Sequence, residues 1–376
     1  AILDYFPIEK SNEFHLEFKW MYRSWIEMIR HEPVKWRTDL VVFVDDDNKT
    51  LNDPTFFLNE LNCSFEHRRS SKQDKPMCTL VRYKAIKNRV FESNRAFSDR
   101  HAARVDLSLR LISKIMNKVI DKYEAYEYLL NNVDIFRANN RTGASQNDTS
   151  RIGDDLQLIP FYIMLKEKLA NYGYLDSILM AFDGYDYFRE AQFDFLIRSD
   201  MDVFFTPLFG VWLPRYCNDF YVGRGGYSTQ FNSERLRRIA NDLNLEYGAV
   251  MNLGSTWYST PDQFRLVSYL TLFGMLYISE EEFTPPERDG KLGVMLWPYW
   301  HYGVLLLYGQ NLAMNHLIAT RQLNVVKLEQ HLDYPSYFGE NINQMLHVHV
   351  FHGDAMFSKF EFKAGKYDAL NYTQYD

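Results

Sequence analysis

The stretch FLIRSDMDVFFTP, residues 195–207, decides how the fold of this sequence is interpreted. It is apolar on both sides of Asp200 and Asp202, which stand one residue apart where a strand over residues 193–199 is predicted to end. In an open α/β sheet, ligands bind beyond the carboxyl ends of the strands. Because an unpaired carboxylate among apolar residues is costly, we expect the two acids to face a metal ion or another cation.

Two carboxylates at positions i and i+2 can both reach one hard cation, and Mg²⁺ and Mn²⁺ favour oxygen ligands. A cation held there can bridge the two phosphates of a nucleotide diphosphate and neutralise the charge that builds on a leaving group. The alternative is that both acids only cap or solvate the end of the strand, since a bare Asp-x-Asp often occurs by chance. The apolar flanks favour the metal interpretation.

The rest of the chain alternates strand patterns with helical patterns of ten or more residues. This alternation predicts an α/β protein with a mainly parallel sheet, more mixed in its second half. Strands are predicted within residues 1–8, 40–44, 77–83, 193–199, 219–223, 248–260 and 347–351, and helices within 12–31, 54–62, 101–130, 158–173, 232–244 and 261–278. The polar residues 131–155 predict a long loop or a disordered segment.

Composition narrows the classes of function. The chain has 376 residues, a net charge of −7 and 16% aromatic residues. The acidic balance argues against a nucleic-acid-binding protein, which usually carries a basic surface. The aromatic excess indicates a substantial core and rings that can stack on sugars or bases. Residues 292–320 lack Asp, Glu, Lys and Arg, but their polar residues predict buried core rather than a membrane span.

The cysteines and the glycosylation sequons bear on the compartment. No CxxC occurs, so a cysteine zinc site is not expected; one disulfide, with Cys63–Cys78 as the candidate pair, would leave Cys217 as a free thiol. Asn-x-Ser/Thr sequons occur at Asn48, Asn62, Asn140, Asn147 and Asn371. Together these features favour the secretory pathway, in the Golgi or ER lumen. The chain starts at Ala1 without a signal peptide, so we expect a trimmed or processed form with any membrane anchor outside it.

A second cluster of polar residues lies near the end of the chain, in HVHVFHGDAMFSKF. The imidazole of His352 can complete a coordination sphere that two carboxylates begin. Gly353 lets backbone approach a phosphate closely, and Lys359 offers a point charge suited to a diphosphate. His347 and His349 alternate with His352 and can point elsewhere. The alternative for any single His is an ordinary hydrogen-bonded structural residue.

These segments together resemble the metal-dependent glycosyltransferases of the GT-A fold. LIRSDMDVFFTP resembles their hydrophobic, Asp-x-Asp, hydrophobic and Pro segment. HGDAMFSK is similar to the His-x-x-Gly-x-x-Lys region of the glycogenin-like, retaining members, and AVMNLGSTWYST resembles their Asn-x-Gly strand on the acceptor side. The order of the three segments along the chain is also that of the family.

The resemblance implies one large domain with a Rossmann-type mixed sheet flanked by helices. Residues 1–192 would form the nucleotide-sugar-binding half, and residues 193–376 would carry the Asp-x-Asp segment, the acceptor side and the C-terminal metal- and phosphate-binding segment. Asp200, Asp202 and His352 would hold Mn²⁺ or Mg²⁺, and Lys359 would touch the donor diphosphate. The implied activity moves a sugar from a nucleotide diphosphate sugar, expected to be a UDP-sugar, to a hydroxyl of a glycan or glycoprotein, with retention favoured.

Three further residues are candidates for contacts to the nucleotide or its phosphates. Asp45 opens VDDDN after the strand at residues 40–44 and could bind a ribose or base, with a solvated turn as the alternative. Arg100 and Arg104 lie one helical turn apart and could reach a phosphate or the sugar. For this pair the alternative, solvated charges on a helix, is favoured.

Four residues are candidates for the sugar side of the site. Asn252 and Gly254 could line the acceptor or donor sugar, although a plain β-bulge explains the Gly equally well. Trp300 and His301, in WPYWHYG, could stack on a sugar face, with core packing as the alternative. No catalytic base or nucleophile is assigned by spacing.

Two rival functions fit the same sequence features. A metal-dependent nucleotidyltransferase or phosphotransferase also uses paired acids, and the acids at residues 45–47 could supply a second metal site. A non-catalytic carbohydrate-binding protein could keep the fold without the reaction. Nucleotide binding separates the enzymes from the third possibility.

Overall fold

The computed structural model describes residues 1–7, 11–44, 57, 60–65, 75–82, 168–169, 172–288, 299–336, 341–350 and 358–366. The helices predicted over residues 54–62, 101–130 and 158–173 and the loop predicted over 131–155 lie wholly or largely outside these residues. The division into halves at residue 192 stays a prediction.

The strands and helices are numbered in chain order. The strands are β1 (Ile2–Phe6), β2 (Leu40–Val44), β3 (Cys78–Arg82), β4 (Leu196–Arg198), β5 (Val203–Phe205), β6 (Asp219–Arg224), β7 (Leu253–Ser259), β8 (Asn324–Lys327), β9 (Tyr334–Pro335) and β10 (His347–His349). The helices are α1 (Ser11–Ile29), α2 (Asp176–Asp183), α3 (Tyr185–Glu190), α4 (Gln230–Asp242), α5 (Pro261–Glu281), α6 (Pro285–Arg288), α7 (Leu305–Ala319) and α8 (Lys359–Lys363).

The strands form a seven-stranded sheet in the order β3-β2-β1-β4-β7-β6-β8 and a three-stranded sheet in the order β5-β10-β9. In the large sheet β7 runs antiparallel to both of its neighbours, and the other pairs are parallel. The α/β fold class is therefore confirmed, with a mixed sheet whose antiparallel strand lies in the second half of the chain.

The order of strands reverses between β1 and β4. The chain builds β1, β2 and β3 outward in one direction and then returns to place β4 on the other side of β1. Such a reversal opens a crevice at the carboxyl ends of the two strands, which is where open α/β sheets bind ligands. Asp200 and Asp202 follow β4 directly, so the topology puts both acids at this crevice.

Apolar patterning explains how the central elements form. All five residues of β1 and of β2 are buried, as expected for strands that helices cover on both faces. In α1, the apolar residues at spacings of three and four form the buried face, as the sequence predicts: Phe18, Met21, Trp25 and Met28. This face packs with β1 and β2 in one core, and the opposite face of the sheet packs against α2, α5 and α7 in another.

The strand predicted over residues 193–199 is shorter in the structure, where β4 pairs over only three residues. Residues 248–260 contain one strand, β7, preceded by an irregular segment. The apolar run after Asp202 forms β5, which pairs with β10 and not with the large sheet. This pairing places His349 beside Asp202.

The long apolar region near residue 300 is core, as predicted for the part that the structure describes. Helix α7 is buried along almost its whole length against α5, where Gly274 and Gly309 allow close contact. Within the described residues, no helix has the length and apolar character that crossing a membrane requires.

The predicted disulfide is confirmed. Cys63 and Cys78 are bonded, which ties the segment before β3 to the first residue of that strand. Cys217 is a free, exposed thiol.

Gly254 lies at the contact between β6 and β7. The register of the two strands shifts between Val222 and Arg224, so the bulge that the sequence allows at this place is present. A Cβ on Gly254 would lie 2.6 Å from the carbonyl oxygen of Arg224 and 2.6 Å from a carboxylate oxygen of Asp333. Gly254 therefore has a packing role, which favours the alternative to a sugar contact.

We expect Gly254→Ala to lower the free energy of unfolding by about 1–3 kcal/mol, because the added methyl group meets backbone that cannot move aside. Gly226→Ala is the matched control, since nothing lies within 4 Å of a Cβ added there. It should change the free energy of unfolding by less than about 0.5 kcal/mol. Urea unfolding followed by tryptophan fluorescence measures both, and equal stabilities would contradict the packing role.

Candidate metal centre

Asp200, Asp202 and His349 converge at the carboxyl end of β4. One ligand atom from each lies within 4.8 Å of the other two. His349 Nε2 is 3.2 Å from Asp202 Oδ1 and 3.9 Å from Asp200 Oδ2. Two carboxylates and an imidazole thus face one common point.

The pairing of β5 with β10 brings these residues together. Asp202 immediately precedes β5, and His349, the last residue of β10, is in register with Val203. The amide of Val350 donates a hydrogen bond to the main-chain oxygen of Asp202, at 2.9 Å. His347 lies on the same face of β10, but this register pairs it with Phe205, so His349 is the histidine of HVHVF that lies beside the acids.

The carboxylate of Asp202 is buried and has two cationic partners. Its side chain is 12% exposed; Lys359 Nζ lies 2.5 Å from Oδ2, and His349 is on Oδ1. Burial alone would raise the pKa of Asp202, but the positive charges of His349 and Lys359 outweigh it and the pKa is lowered. Asp202 therefore remains ionised.

His349 lies between two acids. Its Nδ1 is 3.2 Å from Asp333 Oδ1, on the side opposite Asp202. Burial by itself lowers the pKa of His349, whereas Asp202 and Asp333 raise it, and the net result is well above the ordinary value for histidine. In the metal-free protein, the two carboxylates therefore favour the protonated, positively charged form of the His349 imidazole.

Asp200 forms the more open side of the cluster, with a side chain that is 36% exposed. Ser255 Oγ donates to its Oδ2 at 2.7 Å, and Arg198 Nη2 is 3.5 Å from its Oδ1. Arg198 is itself buried and donates to the main-chain oxygens of Ser177 and Ser255. The orientation of Asp200 is thus fixed from β4 and β7.

The C-terminal helix α8 is attached to the cluster through Glu17 of α1. Glu17 Oε1 is 2.6 Å from Lys363 Nζ and 3.8 Å from Lys359 Nζ. Phe362 packs edge-on against Trp20 of α1, with ring centroids 5.0 Å apart. These contacts hold Lys359 beside Asp202.

A third carboxyl group lies close to the pair, on β1. Asp4 is buried; its Oδ1 accepts from the Tyr5 amide at 2.8 Å, and its Oδ2 has no hydrogen-bond partner among the described residues. Burial raises the pKa of Asp4 well above the ordinary value, and the charges of Asp200 and Asp202 raise it further. Burial and the neighbouring carboxylates therefore both favour the neutral form of Asp4.

The donor set suits a divalent cation. The spread of up to 4.8 Å among the ligand atoms of Asp200, Asp202 and His349 fits a single ion at ordinary bond lengths. Carboxylates suit Mg²⁺ and Mn²⁺, and imidazole suits transition metals, so Mn²⁺ accepts all three groups. In the metal-free protein the ammonium of Lys359 and the imidazole of His349 lie against Asp202, so His349 Nε2 must release its proton before it can bind an ion there.

The positions of the predicted phosphate- and metal-binding residues can now be compared with this geometry. Asp200, Asp202 and Lys359 are brought together, with the Lys359 ammonium on Asp202. The others lie outside the described residues, so their roles stay predictions: Asp45, Arg100, Arg104, His352 and Gly353. The third group found beside the aspartates is His349.

The predicted sugar-side residues have structural contacts of their own. Asn252 adopts a positive φ of 51°, and its side-chain oxygen accepts from the Ser228 amide at 2.8 Å. Trp300 is buried and stacks on Tyr308, with centroids 4.1 Å apart, which favours the core-packing alternative. The His301 amide donates to the hydroxyl of that same Tyr308, at 3.2 Å. Contact of these residues or of Gly254 with a sugar stays a prediction.

The sequence patterns leave several residues of the site without a role. His349 was given no metal role, although HVHVF places it at the end of a strand. Asp333 and Glu17 were not singled out, since each stands alone in the sequence. The two-residue spacing of His347 and His349 puts both imidazoles on one face of β10, but the choice between them depends on the pairing with β5.

Comparisons with known proteins give the following matches. The family described as "Domain of unknown function (DUF7164)" matches residues 1–376. No curated protein matches the chain. Among solved structures, mouse xyloside xylosyltransferase 1 in its apo form is similar, with 10% identity, a TM-score of 0.36, and coverage of 87% of this chain and 84% of that one.

His347 supports the cluster in its neutral form. Its Nδ1 accepts from the Asp333 amide at 3.1 Å, and its Nε2 lies 2.7 Å from Ser199 Oγ. Burial lowers the pKa of His347 to about 4, with Asp333 opposing the shift. An Nδ1 that accepts a hydrogen bond carries no proton, so the geometry and the direction of the shift agree.

This gives a prediction for the metal-free protein in chelator. The unfolded chain takes up the His347 proton near pH 6.5 and the folded chain only near pH 4, so stability that is present above pH 6.5 is lost as the pH falls between these values. Gln does not titrate, so the difference in unfolding free energy between wild type and His347→Gln should narrow by about 2 kcal/mol from pH 7 to pH 5. Urea unfolding at each pH measures it, and a constant difference would contradict a neutral, buried His347.

Proposed function

This chain belongs to the DUF7164 family, described as a domain of unknown function, and we propose that it is a metal-dependent glycosyltransferase. Its substrates would be a nucleotide diphosphate sugar and a hydroxyl group of a glycan or glycoprotein. The observation that carries the proposal is the convergence of Asp200, Asp202 and His349 at the carboxyl end of β4, beside the reversal of strand order. The GT-A resemblance of the sequence segments supports the same assignment.

The residues of the cluster have distinct roles in this proposal. Asp200, Asp202 and His349 would hold the divalent ion, for which Mn²⁺ is the first choice and Mg²⁺ the second. When bound, such an ion neutralises the negative charge that develops on a departing diphosphate. Ser255 and Arg198 keep Asp200 oriented, so the ligand oxygens are in place before substrate arrives.

Lys359 supplies the second positive charge. Its ammonium lies 2.5 Å from Asp202 Oδ2, on helix α8, which contacts α1 through the Lys363–Glu17 ion pair and the packing of Phe362 on Trp20. A lysine held there can contact diphosphate oxygens as a point charge. Catalysis would then rest mainly on positioning and on electrostatic stabilisation of the leaving group.

The finer assignments follow from weaker observations. UDP as the nucleotide and retention of anomeric configuration come from the glycogenin-like resemblance. The Cys63–Cys78 disulfide supports an oxidising compartment, and with the sequons it favours the Golgi or ER lumen. An acceptor on a glycan or glycoprotein is the natural substrate class for that compartment.

Ligand binding tests the proposal directly. A screen of nucleotides and nucleotide sugars by thermal denaturation should give a rise in Tm that needs both Mn²⁺ and a UDP compound, because a ligand stabilises the state that it binds by mass action. Hydrolysis of one UDP-sugar without acceptor should depend on Mn²⁺. A carbohydrate-binding protein would instead respond to glycans without nucleotide, and a nucleotidyltransferase would act on nucleoside triphosphates.

Two variants localise the ion. Partners that merely orient a metal ligand contribute about 10–100-fold to affinity, so loss of a ligand in Asp202→Asn or Asp200→Asn should raise the Kd for Mn²⁺ by at least about 100-fold. Asp200→Asn leaves the Lys359 contact intact and separates metal loss from misfolding. Asp219→Asn is the matched control, because Asp219 is a buried acid of the same sheet whose Oδ1 accepts from Asn324, away from the cluster.

Isothermal titration with Mn²⁺ measures these affinities. Wild-type affinity in both Asp200→Asn and Asp202→Asn would overturn the assignment of the metal centre. Equal loss in the Asp219→Asn control would show that the effect reflects general damage to the sheet.

A further inference from the structure

Asp333 is the most deeply enclosed acid near the metal centre. It is fully buried and immediately precedes β9. It adopts a positive φ of 52°, a conformation that is unusual for residues other than glycine and that persists where surrounding contacts enforce it. Its contacts therefore merit a functional explanation.

Both oxygens of the Asp333 carboxylate accept hydrogen bonds. Oδ2 accepts from the Thr256 amide at 3.0 Å, and Oδ1 accepts from Thr256 Oγ1 at 2.6 Å. Oδ1 also lies 3.2 Å from His349 Nδ1. The bonds from Thr256, which is part of β7, fix the carboxylate relative to the large sheet.

Two glycines leave the space that this carboxylate occupies. A Cβ on Gly254 would lie 2.6 Å from Asp333 Oδ2, and a Cβ on Gly223 would overlap the same atom. The main chain of Asp333 is fixed as well, because its amide donates to His347 Nδ1. These contacts restrain both the backbone and the side chain of Asp333.

We propose that Asp333 is the positioning residue of the metal centre, a role that rests on the proposed function. By accepting the Nδ1 proton of His349, it turns the ring so that Nε2 faces Asp200 and Asp202. A metal-binding imidazole commonly donates its other N–H to a carboxylate, which fixes the tautomer and the orientation of the ring. Thr256, Gly223 and Gly254 hold the carboxylate that does so.

Asp333→Asn tests this role. With one acceptor oxygen in place of two, the amide cannot accept from both the Thr256 amide and His349 Nδ1. If the NH₂ group turns toward His349, the tautomer with the proton on Nε2 is favoured, and that nitrogen cannot bind metal. We expect the Kd for Mn²⁺ to rise about 10–100-fold, whereas the Asp219→Asn control should stay within about twofold of wild type.

A second variant covers the case in which Asp333→Asn does not fold. Thr256→Val removes the hydroxyl donor to Oδ1 and keeps both the main-chain donor and the shape of the side chain. It should also raise the Kd for Mn²⁺, but by a smaller factor than Asp333→Asn does. Unchanged Mn²⁺ affinity in a folded Asp333→Asn, or in Thr256→Val if the former does not fold, would overturn the positioning role.

Proton NMR of the metal-free protein, labelled with ¹⁵N-histidine, separates this inference from the proposed function. The His349 Nδ1 proton, identified by its absence in His349→Gln, should resonate at low field in wild type and move upfield in Asp333→Asn. If that shift occurs while wild type binds no Mn²⁺, the metal function fails and the orientation by Asp333 stands. If the resonance is unchanged in Asp333→Asn, the orientation fails whatever the metal affinity.

Discussion

The charge of one buried carboxylate constrains the organisation of this protein. Asp202 stands at the exit of a short buried strand, where an ionised group without partners is costly. Its partners, His349 and Lys359, come from the last described part of the chain, and the Lys359 contact spans 157 residues of sequence. Neutralising Asp202 therefore requires the chain around His349 and Lys359 to fold back onto the carboxyl end of β4.

Each of the two sheets contributes residues to the site. The large sheet supplies the strand end that carries Asp200 and Asp202 and, through β7, the hydroxyl groups of Ser255 and Thr256. The small sheet supplies His349, in a register set by pairing with β5. The core on one face of the large sheet also includes Val203 and Phe205 of β5, so the distance between the aspartates and the imidazole is set by packed secondary structure rather than by flexible loops.

Local patterns were enough to predict much of this arrangement. The alternation of strands and helices, the buried face of α1, the Asp-x-Asp at a strand end and the Cys63–Cys78 pair all depend on residues close in sequence or on a choice among few cysteines. His349 could not be chosen over other histidines in the same way, because its orientation depends on the pairing of β5 with β10, across more than 140 residues. Asp333 carries no local pattern, and its role appears only through contacts with β7.

The most direct measurement is a crystal structure of the protein soaked in Mn²⁺, with anomalous data collected on both sides of the manganese absorption edge. The account predicts one anomalous peak bonded to an oxygen of Asp200, an oxygen of Asp202 and Nε2 of His349, with Nδ1 of His349 still on Asp333. A peak elsewhere in the protein, or an Asp200–Asp202–His349 cluster without a peak at saturating Mn²⁺, would contradict it.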